Sequence, residues 1–107
     1  LGPLGNTGQG ELNLELGAAF FLQQAATFFR NPDAQFELAK LYLKGEGVPL
    51  NSTEAAKWYR RAADNGNPQS QFMLAMLLAN GEGVPKNASE ALTWFQRGAE
   101  QGHAKAQ

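Results

Sequence analysis

Apolar side chains fall at positions 34, 38, 41 and 42, three and four residues apart, which lines one face of an α-helix. This spacing predicts a helix from Asp33 to Lys44, and Gln69 to Asn80 repeats it. Pro32 and Pro68 stand at the start of these stretches. Proline is tolerated there because the first N–H groups of a helix have no intrahelical partner. Gly45 and Gly81 follow the last periodic residue and suit the left-handed position that ends a helix, and Pro49 and Pro85 block its continuation. A second pattern opens at Asn51 and Asn87, each followed three residues later by a glutamate, Glu54 or Glu90. That is a capping-box signal, and a carboxylate is favourable at that end of a helix. Ala55, Trp58 and Ala62 then share one face, as do Ala91, Trp94 and Gly98. This second helix is expected to run to about Asn65 and Gln101 and to close at Gly66 and Gly102. Its small residues let helices approach closely, and its tryptophan fills the space between units.

The two patterns recur at an offset of 36 residues. Gly45-Glu46-Gly47-Val48-Pro49 falls on Gly81-Glu82-Gly83-Val84-Pro85, and 17 of the 36 aligned pairs are identical. Chance does not produce this, so residues 33–68 and 69–103 are tandem helix–turn–helix repeats. Residues 11–32 carry a weaker helical pattern, from about Glu11 to Arg30, with Ala19, Leu22 and Ala26 at the places of Ala55, Trp58 and Ala62. It reads as a degenerate half-repeat or a cap, rich in phenylalanine at Phe20, Phe21, Phe28 and Phe29. Residues 104–107 look like the start of a further helix, which leaves the last full helix without its next neighbour. Residues 1–10 are Gly-rich, and Gly2-Pro3-Leu4-Gly5 looks like the remnant of a protease site. They are expected to be flexible and outside the fold.

The combined motif resembles the Sel1-like repeat family. In the first copy it comprises Ala34, Leu38, Ala39, Tyr42, Gly45, Gly47, Val48, Asn51, Ala55, Trp58, Ala62, Ala63 and Gly66. In the second copy Leu74, Ala75, Gly81, Gly83, Val84, Asn87, Ala91, Trp94, Ala99 and Gly102 stand at the same places. Leu78, Ser70 and Gly98 depart from the usual Tyr, Ala and Ala. Tetratricopeptide repeats are related but have a period of about 34. The resemblance implies an all-α, right-handed α-solenoid whose concave surface is lined by the first helix of each repeat. It also implies a protein-binding adaptor, part of a larger bacterial protein. Adaptors of this family serve in envelope assembly, secretion, signalling and host interaction.

Composition removes several chemistries. Nine basic and ten acidic residues give a net charge of −1, which does not suit a phosphate backbone, so nucleic acid is not expected. No cysteine is present, which removes disulfides, thiolate nucleophiles and cysteine zinc sites. No apolar run reaches the ~20 residues needed to span a bilayer. With His103 as the only histidine, neither a catalytic triad nor a multi-histidine metal site can be built, and no enzyme activity, metal or cofactor is expected. The Gly-x-Gly turns lack the rest of a phosphate loop and follow helices. Asn51 and Asn87 are formal glycosylation sequons, but capping accounts for Asn and Glu together. Lys57, Arg60 and Arg61 read as a solvated face paired as Glu54–Lys57 and Arg60–Asp64, with a docking patch as the alternative. Absence of cysteine and the family's habits lean toward the bacterial periplasm or envelope.

Helical repeats pack through their regular positions and recognise partners through the irregular ones. Counting round the first helix places Asp33, Phe36, Glu37, Lys40, Leu43 and Lys44 in the concavity, and then Gln69, Phe72, Met73, Met76, Ala79 and Asn80. Phe36 and Phe72 recur and also suit a core. Met73 and Met76 replace Glu37 and Lys40, so the repeat frame does not demand them. They are expected either to contact a partner segment or to touch the neighbouring helix. Regulation of a separate catalytic domain is the alternative function. Self-association through the Phe-rich helix or the open C-terminal face is a third.

Overall fold

The computed structural model describes the backbone of residues 7–106 and the side chains of residues 17–102. Over these residues the chain forms α1 (Thr7–Phe28), α2 (Pro32–Lys44), α3 (Ser52–Asp64), α4 (Pro68–Asn80) and α5 (Ala88–Ala106). The substantial contacts join sequence neighbours: α1 with α2, α2 with α3, α3 with α4, and α4 with α5. The outline is therefore elongated, 55 × 30 × 23 Å, as expected when each unit rests on the next. This is the expected all-α solenoid.

Each helix from α2 to α5 starts on an asparagine. Asn51 Oδ1 accepts from the Glu54 N–H at 3.0 Å, and Asn87 Oδ1 accepts from the Glu90 N–H at 3.0 Å. The capping box is only half closed, because the cap N–H groups are already used. The Asn51 N–H donates to the Tyr42 carbonyl and the Asn87 N–H to the Leu78 carbonyl, both at 2.9 Å. The glutamates are thus free for other work. At α2 and α4 sequence reasoning saw the prolines and missed the caps before them. Asn31 Oδ1 accepts from Asp33 and Ala34, and Asn67 Oδ1 accepts from Ser70 at 2.7 Å.

α2 and α4 end on Gly45 and Gly81, at φ 71° and 68°, in the expected left-handed conformation. The second glycine of the turn has a different reason. A Cβ on Gly83 would overlap the Ser52 carbonyl, so the second repeat's turn rests on the start of α3.

The core is built from small residues and a few large ones. Leu38, Ala39, Ala55, Leu74 and Ala75 are fully buried, and Trp58 and Trp94 nearly so. Buried Gln35 and Gln71 donate to the carbonyls of Ala26 and Ala63 at 3.1 and 3.2 Å, satisfying the ends of the preceding helices. Lys57 pairs with Glu54 at 3.8 Å as expected, but Arg60 does not pair with Asp64. It reaches instead into the next repeat, to Glu90 Oε2 at 2.7 Å, and the same oxygen accepts from Trp94 Nε1 at 3.1 Å. These two hydrogen bonds, the Arg60 one foremost, hold the Glu90 carboxyl below the usual carboxylate range. Arg61 lies over the Trp58 ring at 4.6 Å rather than in a salt bridge.

Two boundaries differ from expectation. α1 begins at Thr7, so residues 7–10 are helical, while residues 1–6 lie outside the described set. α5 runs through Gly102 to Ala106 instead of closing there. His103-Ala104 stand where Asn67-Pro68 stand one repeat earlier, so neither a cap nor a proline interrupts the helix. The His103 side chain is outside the described set.

Tyr59 is fully buried and its hydroxyl has no hydrogen-bond partner. Burial, helped by the nearby Glu37 charge, pushes its pKa up to about 12. An unfolded tyrosine titrates near ~10, so this stability is complete below that pH and is lost as pH rises toward the folded value. Tyr59→Phe is expected to leave stability at pH 7 unchanged or higher and to remove the alkaline loss, read from urea midpoints between neutral and alkaline pH. In the same assay Gly83→Ala costs about 1–3 kcal/mol or more, from positive φ and overlap together. Gly102→Ala, helical and with nothing within 4 Å, gains about 0.5–1 kcal/mol.

Candidate protein-interaction face

The residues singled out on α2 and α4 divide into two differently finished halves. On α2, Phe36 is half-buried, its ring 5.9 Å from Tyr59. Lys40 lies across it, with Nζ 5.1 Å from the ring centre and 3.3 Å from Glu37 Oε1. A polar strap thus covers the aromatic. Leu43 is half-buried against the core, and Lys44 is exposed at the helix end.

On α4 the strap is missing. Phe72 meets Phe95 edge-on at 5.3 Å, the same pairing one repeat later, but it remains 52% exposed. Met76, in the place of Lys40, is 40% exposed, and Met73, in the place of Glu37, packs partly on the core. Met73 is thus the more buried of the two methionines and Met76 the more exposed. Asn80 is exposed at the end of the helix. Pro68–Asn80 contains no charged residue, so α4 offers an apolar strip with nothing to neutralise or screen it.

Two shallow hollows adjoin this strip. Phe36, Pro68, Gln69, Phe72 and Met73 line one of about 420 Å³. Pro68, Phe72, Phe95, Gly98 and Ala99 line another of about 430 Å³. Phe72 and Pro68 belong to both. The structure brings Phe36, Phe72 and Met73 together, and leaves Glu37, Lys40, Leu43, Lys44, Met76 and Asn80 outside the hollows. Sequence reasoning missed the contribution of α5. The signals were Phe95 in place of Tyr59 and Gly98 in place of the fully buried Ala62. Among the structural positions, Gly47 is buried in its turn and Gly66 closes α3 at φ 91°.

The Phe-rich α1 lies apart. Phe20, Phe21, Phe28 and Phe29 are 54–79% exposed. No described helix is long and apolar enough to cross a membrane. Among the described residues no group of three His, Cys, Asp or Glu side chains converges as a metal site would require.

A family model described as Sel1 repeat matches residues 32–67 and 68–103. A Sel1 repeat protein from Oxalobacter formigenes superposes with a TM-score of 0.78 at 31% identity, over 82% of this chain and 25% of that one. Helicobacter pylori cysteine rich protein B shares the fold, with a TM-score of 0.75 at 18% identity, over 88% of this chain and 84% of that one. A 43-residue stretch, 40% of this chain, is 49% identical to the exopolysaccharide production negative regulator of Rhizobium meliloti (strain 1021). It spans 16% of that protein's length. Sel1 repeats are in general a non-catalytic fold for protein interaction, and this chain, matched over both of its repeats, belongs to the Sel1-repeat family.

Proposed function

We propose that this protein is a non-catalytic scaffold that takes an apolar segment of a partner protein across the face of α2 and α4. The observation that carries this reading is the uncharged α4, with Phe72 and Met76 exposed beside two hollows that share the Phe72 ring. A segment with two apolar anchors, one on each side of that ring, matches the arrangement. Glu37, Lys40, Lys44 and Asn80 supply a polar rim, the usual setting of an apolar contact centre. Met76 suits such a contact because its unbranched side chain adapts to irregular shapes. The stretch shared with the Rhizobium regulator supports a version in which the scaffold acts inside a longer regulatory protein.

The exposed phenylalanines of α1 favour a second reading, self-association through that helix. It predicts a sedimentation coefficient that rises with concentration and falls to the monomer value in Phe20→Ser/Phe21→Ser. A concentration-independent monomer excludes it.

The leading reading is tested with twelve-residue peptides selected on the wild-type protein by display. Met73→Glu/Met76→Lys installs the Glu37–Lys40 pair that the first repeat already accommodates, so the thermal midpoint is expected to move little. Selected peptides should carry two apolar residues and bind this variant at least about tenfold more weakly, the scale of ~1.4 kcal/mol. Equal binding to both proteins sinks the proposal.

A further inference from the structure

The two inter-repeat junctions are not alike. At the second, Gly66 follows α3 with φ 91°, and Gln101 Nε2 closes the space by donating to the Gly66 carbonyl at 2.6 Å. At the first junction, one period earlier, Arg30 stands in place of Gly66 and Asn65 in place of Gln101. The shorter Asn65 turns to Gln35 Oε1 at 3.0 Å and leaves the space open. The result is a hollow of about 410 Å³ walled in part by Thr27, Arg30, Arg61, Asp64 and Asn65.

Arg30 is the one non-glycine residue with positive φ, 50°, among those described. A side chain there strains the backbone, and strain of this kind concentrates at binding sites. Arg61 lies over Trp58, with Cζ 4.6 Å from the ring centre, which restricts where its guanidinium can go. Among the described residues neither arginine has a carboxylate within 4.0 Å, whereas Arg60 has Glu90. Two guanidiniums and one carboxylate, Asp64, leave the wall with one net positive charge. That balance matches a monoanion and leaves one charge of a dianionic phosphate uncompensated.

We propose that this hollow binds a carboxylate of a peptide, either its C-terminus or an acidic side chain. Planar guanidinium and carboxylate groups make paired, charge-assisted hydrogen bonds, which gives the site its selectivity. The site stands independently of the apolar face on α4.

The test is a titration of the ¹⁵N-labelled protein, following the arginine Nε–H signals. The probes are N-acetylglycine (a terminal carboxylate), N-acetylaspartate N-methylamide (a side-chain carboxylate), inorganic phosphate, and neutral N-acetylglycinamide. Arg97, which lies over Trp94 at 4.8 Å as Arg61 lies over Trp58, is the internal reference. At least one carboxylate should shift Arg30 and Arg61 saturably and Arg97 not at all, and the tighter one names the source. Arg30→Gly installs the residue that the second repeat already uses. It should keep the folded spectrum and weaken binding at least fivefold. Equal responses of Arg61 and Arg97, saturation by the neutral amide, or tighter binding of phosphate each overturn the proposal. So does a response that is linear throughout, which is what guanidiniums serving only the carbonyl ends of α1 and α3 would give.

Discussion

Ala39, Ala55, Ala56, Ala63 and Ala75 lie in one continuous core with Leu38, Leu74, Trp58 and Trp94, and the small size of the alanines sets how near neighbouring helices come. Helix axes settle about 8–10 Å apart depending on the side chains between them, and alanine gives the short end of that range. At short separation a helix end is near enough to the next for side chains as small as Gln and Asn to reach it. Gln35 and Gln71 use that nearness to satisfy carbonyls of the preceding helix. Larger residues at the alanine positions would push these polar groups out of reach, and the cost would include unsatisfied backbone as well as poor packing.

The stack has no cysteine, yet its architecture matches that of a protein named as cysteine rich. Cohesion between repeats here comes from packing, from the hydrogen bonds of Gln71 and Gln101 to the carbonyls of Ala63 and Gly66, and from one polar knot. Arg60 of α3, Glu90 of α5 and the Trp94 indole meet at a single carboxylate oxygen. The first repeat's equivalent glutamate, Glu54, is left with Lys57 at 3.8 Å. The knot is therefore a junction device, specific to one pair of repeats.

The sequence made the frame legible because the frame is periodic. Turn glycines, cap asparagines of the second helices and the buried tryptophans all announce themselves twice. Apart from the recurring caps Asn31 and Asn67, what it hid were interactions that cross the period or break it. Arg60 was matched with Asp64 because only neighbours along one helix can be paired by spacing, while its real partner is 30 residues away. The half-closed capping box was invisible for the same reason: the competing acceptors are the carbonyls of Tyr42 and Leu78, across a turn. On the candidate face, spacing grouped residues of α2 and α4 correctly as one surface. It could not supply Phe95 and Gly98, which reach the same hollow from α5.

Gly83 has a meaning for the solenoid as a whole. Its turn sits directly against the first residue of α3, one repeat back, with no side chain between. A contact between backbones has no rotamers with which to adjust, so it acts as a fixed spacer between successive units. Rise and rotation per repeat are then gauged at the turns, while the helix faces are left free to change their chemistry. In a longer array of such units, one altered spacer would redirect every repeat beyond it, and the curvature of the whole would change at a point far from any binding residue.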